Sequence, residues 1–240
     1  MEKITSLQNA KVKGWTALHQ KKERDRTGRF LIEGEHLIQE ALKAGAVETV
    51  ITDTVSPFAF DHTVSVTPQI MHKISANVSD VHLIAVCVKK ETVPSGLKRT
   101  VLLDNVQDPG NLGTIIRTAV SFGFDAVYCS PDTCDLYNEK AVRSTQGALF
   151  HIPVMRADLA DVCRELQKEG CRVIATSLQE SRTMGEIPSE EKMAFIFGNE
   201  GQGVRQGLID QADTCLRIEM EGFESLNVAV AAGIVMYHYR

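Results

Sequence analysis

Three polar clusters in the second half of the chain combine residue types that could carry out chemistry. The loop in FIFGNEGQGVRQGL (195–208) places one carboxylate, Glu200, among Gly198, Gly201 and Gly203. A phosphate-binding loop normally adds a lysine to its glycines, and an acid in that position repels phosphate. The order G-x-x-G-x-G and its late position also differ from the dinucleotide fingerprint. The loop therefore favours a ligand that brings a cation or a sugar hydroxyl.

The segment NVQDPGNLGTIIRTA (105–119) supplies an amide and a guanidinium near the start of a predicted helix. Asn111 falls at that start, where capping the helix is its simplest role. Arg117 lies about 130° from the centre of the apolar stripe and within two turns of the helix start, so it can reach over the strand ends. Its planar fork suits a phosphate or a carboxylate. A surface salt bridge is the simpler alternative for Arg117.

The segment ESLNVAVAAGIVMY (224–237) forms the third cluster. Ser225 is most simply the cap of a final helix, and Asn227 follows in a segment with few other polar residues. Residues 226–236 are apolar nearly all round, so we expect this helix to be buried against a partner subunit. Asn227 then needs a hydrogen-bond partner, because a buried amide without one costs stability.

The elements that must position these clusters alternate between strands and helices. Apolar runs typical of strands occur at TVLLD (100–104), DAVYC (125–129), HIPV (151–154), RVIAT (172–176), MAFIF (193–197) and TCLRIE (214–219). Short apolar strands separated by amphipathic helices predict a mostly parallel sheet with helices on both faces. Ligands of such sheets bind beyond the carboxyl ends of the strands, where the three clusters are expected. S-adenosylmethionine offers the cation and the sugar hydroxyls that Glu200 would accept.

The first ninety residues also alternate strand-like and helix-like segments, which predicts a smaller α/β domain. KKETVPSGLK (89–98) then mixes charge, proline and glycine, as a linker would. We expect a first domain at residues 1–90, a linker at 91–99 and a second domain at 100–240.

The composition is that of an ordinary globular protein, with 43% hydrophobic and 24% charged residues among 240. No run of 18 apolar residues and no signal-peptide core are visible, which predicts a cytoplasmic location. The six cysteines form no C-x-x-C pair and the seven histidines are scattered. The sequence therefore predicts buried free thiols and no metal site.

The charge is unevenly distributed. Residues 1–30 carry eight Lys or Arg against three acids, a net +5, and the remaining 210 residues carry −10. A basic N-terminal segment in an otherwise acidic protein is typical of a phosphate-binding surface, although a solvated helix face has the same composition.

Taken together and in this order, DNVQDPGNLGTIIRTA, FGNEGQG and ESLNVAVAAGI resemble the three signature motifs of the SpoU (TrmH) family of RNA ribose 2′-O-methyltransferases, in the SPOUT class. This resemblance covers roughly residues 100–240. GRFLIEGEHLIQEAL and the basic stretch before it resemble the small ribosomal-protein-like domain with which many members bind RNA. The family implies a C-terminal α/β domain with a trefoil knot, a geometry that is rare among proteins.

The resemblance also implies a site. S-adenosylmethionine would be held largely through backbone groups by Thr176, Ser177, Gly198, Asn199, Gly201, Gly203, Ile218, Met220 and Leu226. The positions that the family uses for catalysis correspond to Arg117, Asn111, Glu200, Ser225 and Asn227. Arg117 is protonated at neutral pH, so we expect it to grip a phosphate and stabilise alkoxide rather than act as a base. Asn111 and Ser225 would orient the ribose, while Glu200 and Asn227 would fix the arginine and the cofactor.

The expected partners are RNA, with ribosomal RNA favoured over transfer RNA by analogy, and a second copy of the chain that pairs through the knotted domain. RNA contacts are predicted for Lys11, Lys21, Lys22, Arg24, Arg26, Arg29 and Arg143. Two alternatives stay open: a non-catalytic RNA-binding protein, and an oxidoreductase with a nucleotide cofactor, for which the glycine order is wrong.

Overall fold

The computed structural model describes residues 2–76, 81–90, 93–222 and 225–240, which form two compact units. The first contains Met1–Lys90 together with Asp135–Phe150, and the second contains Glu91–Cys134 and His151–Arg240. The sequence placed residues 135–150 within one uninterrupted second domain, and here the structure differs. The reason is that residues 135–150 contact residues of the first unit that are distant in the sequence, and a local pattern does not reveal such contacts.

The first unit is built on a five-stranded mixed sheet with the order β1-β4-β3-β5-β2. Its strands are β1 (Glu2–Ile4), β2 (Arg29–Glu33), β3 (Val47–Thr52), β4 (Thr63–Val66) and β5 (Leu83–Val88). Its helices before residue 90 are α1 (Ala10–Ala17), α2 (Lys21–Thr27), α3 (Glu35–Lys43) and α4 (Pro68–Ile74). Strand β5 runs antiparallel to both β2 and β3, whereas the other pairs are parallel.

Two apolar clusters hold this unit together, one with side chains of α1 and α4 and one with side chains of α3. Val12 and Trp15 of α1 pack with Ile70 and Ile74 of α4 in the first cluster. In the second, Ile38 of α3 packs with strand residues. The two clusters indicate a sheet covered by helices on both faces.

The segment Asp135–Phe150, which contains α6 (Glu139–Thr145), belongs to the first unit through polar and aromatic contacts. Arg24, at 4% exposure, donates to Asp135 Oδ2 at 2.5 Å and to the backbone oxygens of Leu18 and His19. The ring of Tyr137 lies 4.6 Å from that of Phe30. The contacts of Arg24 with Asp135 and of Phe30 with Tyr137 join residues more than one hundred positions apart in the sequence.

The second unit contains a seven-stranded sheet in which every described pair is parallel, with the order β10-β12-β9-β11-β6-β7-β8. Its strands are β6 (Arg99–Leu103), β7 (Ala126–Cys129), β8 (Val154–Arg156), β9 (Arg172–Thr176), β10 (Arg182–Thr183), β11 (Met193–Phe197) and β12 (Thr214–Arg217). Its helices are α5 (Pro109–Ser121), α7 (Leu159–Lys168), α8 (Gln206–Gln211) and α9 (Val228–His238). The predicted mostly parallel α/β sheet is confirmed.

Four neighbouring strands of this sheet position the candidate site. Because β12, β9, β11 and β6 are parallel and adjacent, the loops that follow their last residues emerge at one edge. Strand β11 is buried at all five positions and carries the glycine loop that begins at Gly198. The trefoil knot stays a prediction, since strand order does not define the path of the chain.

Local patterns located the strands β6, β7, β9, β11 and β12 and the helices α5 and α9. They did not locate α1, α2 or β1. Cys87, Cys129, Cys163 and Cys171 are buried free thiols, whereas Cys134 and Cys215 are partly exposed. Across the part of the chain that the structure describes, no helix has the length and apolar character needed to cross a membrane.

Candidate active site

The glycine loop after β11 closes on itself. Asn199 and Gly203 form an antiparallel bridge, in which the N···O distances of the two backbone hydrogen bonds are 3.0 and 2.9 Å. A Cβ atom on Gly198 would lie 2.1 Å from the carbonyl carbon of Gly203. Only glycine therefore fits at the position where the loop returns over its own start.

The side chain of Asn199 fixes this loop internally and to the loop that follows β6. Its Oδ1 accepts from Gly201 N at 2.9 Å and from Gln202 N at 3.1 Å. Its Nδ2 donates to the carbonyl oxygen of Asn105 at 2.9 Å. Asn199, a predicted cofactor residue, thus has a structural role in the loop.

Glu200 binds the start of α5. One carboxylate oxygen accepts from Asn111 Nδ2 at 2.9 Å and from Asp108 N at 3.2 Å, and the other accepts from Gln107 N at 3.2 Å. Burial opposes ionisation of Glu200, but these hydrogen bonds outweigh it, so its pKa lies below the ordinary value. Glu200 is an anion held by donors at a helix N-terminus.

Asn111 links Glu200 to the last helix. Asn227 Nδ2 donates to Asn111 Oδ1 at 2.9 Å, and Asn227 Oδ1 accepts from Ala229 N at 2.9 Å. The structure thus joins Glu200, Asn111 and Asn227, one residue from each predicted motif, in one hydrogen-bonded chain. Asn227 has the hydrogen-bond partner that was expected, but the expectation that it is buried is wrong, because the residue is exposed.

Two capping expectations are wrong. The N-cap of α5 is Asp108, whose carboxylate accepts from Asn111 N at 2.9 Å, with Pro109 in the first helical position. The N-cap of α9 is Asn227, not Ser225. The cap of α5 lies three residues before the expected position and that of α9 two residues after it, which leaves Asn111 and Ser225 free of a capping role.

A buried carboxylate pins the end of the glycine loop. Asp104, with a fully buried side chain, accepts from Arg205 N at 2.9 Å and from Arg205 Nε at 2.7 Å. The hydrogen bond raises the pKa of Arg205, although its side chain is 53% exposed. The sequence analysis missed this pair. The available signal was Asp104 itself, an acid directly after a buried strand.

An open pocket of about 220 Å³ lies among the loops that follow β9, β11 and β12. Nearly all of the predicted cofactor residues line it, together with Glu200 and Ser225: Thr176, Ser177, Gly198, Asn199, Gly203, Ile218, Met220 and Leu226. Gly201 is not among the lining residues. Sequence reasoning missed Leu178, Phe197, Leu216, Arg217, Val228 and Ala231, which also line the pocket.

Arg117 is exposed on α5, two turns after the start of the helix, and is not among the residues that line the pocket. Its guanidinium has no hydrogen bond or ion pair within residues 2–76, 81–90, 93–222 and 225–240. The alternative that Arg117 forms a surface salt bridge is therefore not supported by the described residues. The expectation that Glu200 and Asn227 fix Arg117 is not met, because the side chains of both bond to Asn111.

The pocket lining fits the chemistry of S-adenosylmethionine. Apolar side chains such as Leu178, Ile218 and Leu226 suit an adenine ring, and glycine-rich backbone permits close approach to it. The anionic Glu200 suits a sulfonium cation.

The predicted RNA-binding cations belong to the first unit. Lys21 and Lys22 are exposed, and Arg143 is exposed on α6. Lys11, Arg26 and Arg29 pair at the surface with Glu2, Glu23 and Glu48, respectively. Such exposed pairs contribute little to stability and open readily for a phosphate.

Arg24 does not fit the prediction of RNA contact. Its side chain is 5% exposed and is bonded to Asp135 and to two backbone oxygens. A cation held in this way supports the packing of residues 135–150, because moving it would leave a partly buried carboxylate unpaired.

Comparisons with known proteins agree with this geometry. A model of the SpoU rRNA methylase family matches residues 98–237, and a model of the MRM3-like substrate binding domain matches residues 9–85. The chain is 42% identical, over 100% of both sequences, to the 23S rRNA (guanosine(2553)-2′-O)-methyltransferase RlmP of Bacillus subtilis.

Solved structures are similar over nearly the whole chain. An AdoMet-bound rRNA methyltransferase from Sinorhizobium meliloti superposes with a TM-score of 0.90 at 31% identity, covering 100% of this chain and 97% of that one. The SpoU methyltransferase AviRb from Streptomyces viridochromogenes, in complex with AdoMet, gives a TM-score of 0.87 at 25% identity, with 97% of each chain covered.

Proposed function

This chain belongs to the SpoU rRNA methylase family, and from that membership we propose that it transfers a methyl group from S-adenosylmethionine to a ribose 2′-hydroxyl of ribosomal RNA. The observation that carries the proposal is the hydrogen-bonded chain of Glu200, Asn111 and Asn227 beside the pocket. It brings the three predicted motifs together at the edge of the parallel sheet where ligands bind.

When bound, S-adenosylmethionine supplies a methyl group on a sulfonium that a hydroxyl oxygen can attack. The residues that would hold it are those lining the pocket, with Gly198, Asn199 and Gly203 on one side and Ile218 and Leu226 on another loop. Their task is alignment, because an in-line transfer is fast only when the two reacting atoms are correctly placed.

Asn111 is the group that we assign to orient the ribose. Its amide has four hydrogen-bonding positions, and Glu200 and Asn227 use one donor and one acceptor position. One N–H and one lone pair therefore stay available for the sugar. Ser225, which lines the pocket, is the second candidate for this task.

Arg117 is assigned to the RNA phosphate and to the negative charge that develops on the attacking oxygen. Its guanidinium has no partner among the described residues, and a guanidinium carries N–H donors but no lone pair that could take up a proton, so we assign it as a donor and not as a base. Glu200 also makes a poor base, because its pKa is lowered and its oxygens already accept three N–H groups.

We assign 23S ribosomal RNA as the substrate, and as the target the guanosine equivalent to the one in the name of the Bacillus subtilis relative, since the identity to that enzyme extends over the whole chain. The first unit, with its exposed Lys21 and Lys22, would bind the RNA. The reaction would then take place in the cytoplasm.

Ribose-methylation mapping of total RNA from cells with and without the gene tests the proposal. We expect one 23S rRNA position to lose its methyl group and the purified protein to restore it with labelled S-adenosylmethionine. Loss of a transfer RNA methyl group would instead favour the tRNA alternative, and no incorporation into any RNA would favour a non-catalytic RNA-binding protein.

Homodimerisation through the knotted domain is part of the proposal. On α9, Val230, Ile234 and Tyr237 are 51%, 36% and 56% exposed and lie at helical spacing on one face of the helix. Val230→Lys should therefore yield monomers in size-exclusion chromatography with light scattering. The matched control is Val55→Lys in the first unit, where Val55 is 90% exposed. A dimer unaffected by the Val230 change would contradict this interface.

A further inference from the structure

The pocket carries one positive charge that neither the sequence motifs nor the assigned mechanism uses. Arg217 is the last residue of β12 and lines the pocket with Ser177, Leu178 and Ile218. Among the described lining residues, Arg217 is the single cation and Glu200 the single anion. The pocket therefore presents charges of both signs to its ligand.

The guanidinium of Arg217 is oriented but not neutralised. Its Nη1 donates to the carbonyl oxygen of Ser181, and no carboxylate among the described residues forms an ion pair with it. The nearby Glu186 has a lowered pKa, chiefly through hydrogen bonds from Thr183, with a smaller electrostatic contribution from Arg217. A guanidinium has five N–H donors, so most of them stay available for a ligand.

The charges of S-adenosylmethionine are arranged to match. Its methionine part carries one carboxylate, which is its only anionic group, along with a cationic sulfonium and a cationic ammonium. Glu200 suits the cations, and a guanidinium is the side chain best shaped for a carboxylate. We propose that Arg217 binds the methionine carboxylate of S-adenosylmethionine, an assignment that rests on the proposed function.

The assignment makes Arg217 a specificity-determining residue. The wild-type pocket then discriminates against an otherwise identical cofactor that lacks the carboxylate. A charge-assisted hydrogen bond of this kind corresponds to about a 10- to 100-fold difference in affinity. The demethylated product, S-adenosylhomocysteine, retains the carboxylate and keeps this contact.

Isothermal titration calorimetry with two probes, S-adenosylmethionine and decarboxylated S-adenosylmethionine, tests the assignment on the full chain. We expect wild-type protein to bind the decarboxylated probe about 10- to 100-fold more weakly. Arg217→Gln should bind S-adenosylmethionine more weakly by a similar factor and should no longer distinguish the two probes. Arg182→Gln is the matched control, because Arg182 is an exposed arginine on the adjacent strand β10 and does not line the pocket.

Equal wild-type affinities for the two probes would overturn the assignment, and this comparison needs no variant to fold. A preference for the carboxylate that persisted in Arg217→Gln would overturn it as well, since another group would then hold the carboxylate. Wild-type protein that bound neither probe would overturn the proposed function, and this assignment with it.

Discussion

Asp104→Asn should destabilise the second unit by about 2–3 kcal/mol, the upper part of the range for losing a hydrogen bond to a charged group. The fully buried carboxylate accepts from Arg205 N at 2.9 Å and from Arg205 Nε at 2.7 Å. Asparagine keeps one oxygen, but its NH₂ group must face one of these two donors. Water reaches the half-exposed Arg205 side chain and offsets part of the loss there, so the expected cost stays below that of an unpaired buried charge.

The assay is thermal unfolding followed by circular dichroism. At about 2–4 °C per kcal/mol for a domain of this size, the melting temperature of Asp104→Asn should fall by roughly 4–12 °C. Asp132→Asn is the matched control, because Asp132 lies 3.5 Å from Arg205 Nη1 but is 63% exposed. An exposed pair contributes less than about 1 kcal/mol, so the control should shift by only a few degrees at most.

Equal shifts for Asp104→Asn and Asp132→Asn would refute the reasoning, since they would show that burial of the carboxylate does not set the strength of the pair. A double-mutant cycle with Arg205→Ala gives an independent check. We expect a coupling energy of about 1–3 kcal/mol between positions 104 and 205.

Three further predictions concern binding, loop geometry and pH. Arg117→Ala should lower turnover at least about 100-fold and leave the calorimetric affinity for S-adenosylhomocysteine nearly unchanged, and a large loss of affinity would contradict its assigned role. Gly198→Ala should lower that affinity more than about tenfold, because its Cβ would clash with backbone, whereas Gly207→Ala, which meets no atom within 4 Å, should not. The hydrogen bond from His19 to Glu139 outweighs burial and raises the pKa of His19. Protonated His19 therefore stabilises the fold fully below the unfolded-state pKa of about 6.5, and this stabilisation is lost as pH rises through the higher pKa of the folded state. Melting temperatures across this range should therefore fall more with rising pH for wild type than for Glu139→Gln, and parallel curves would contradict the link.

Sequence periodicity located the strands that carry the site because each is a short, largely apolar run, and three of them, β6, β9 and β11, are mostly buried in the parallel sheet. The helix starts were less accurate. Asp108 and Asn227 cap α5 and α9, although Asn111 and Ser225 also had suitable chemistry and position. Several residue types can cap a helix, and the choice among them depends on the path of the preceding loop, which the sequence does not encode locally.

Contacts between distant residues account for the remaining differences. Helix α2 (KKERDRT) has no apolar side chain to give it a periodic signal. Arg24 looked like one more solvated cation of the basic stretch, and its burial depends on Asp135. Arg217 was missed for a related reason, since a single arginine at the end of a strand becomes notable only when the pocket beside it is known.

The two asparagines of the site form a directional chain. Backbone N–H groups of α9 donate to Asn227, Asn227 donates to Asn111, and Asn111 donates to Glu200. A 180° rotation of either amide alone would place donor against donor and acceptor against acceptor, and the helix end and the carboxylate fix the polarity at the two extremities. The amides can only reverse in concert and at a penalty at both ends, so the ribose-facing atoms of Asn111 have one preferred orientation before any RNA arrives.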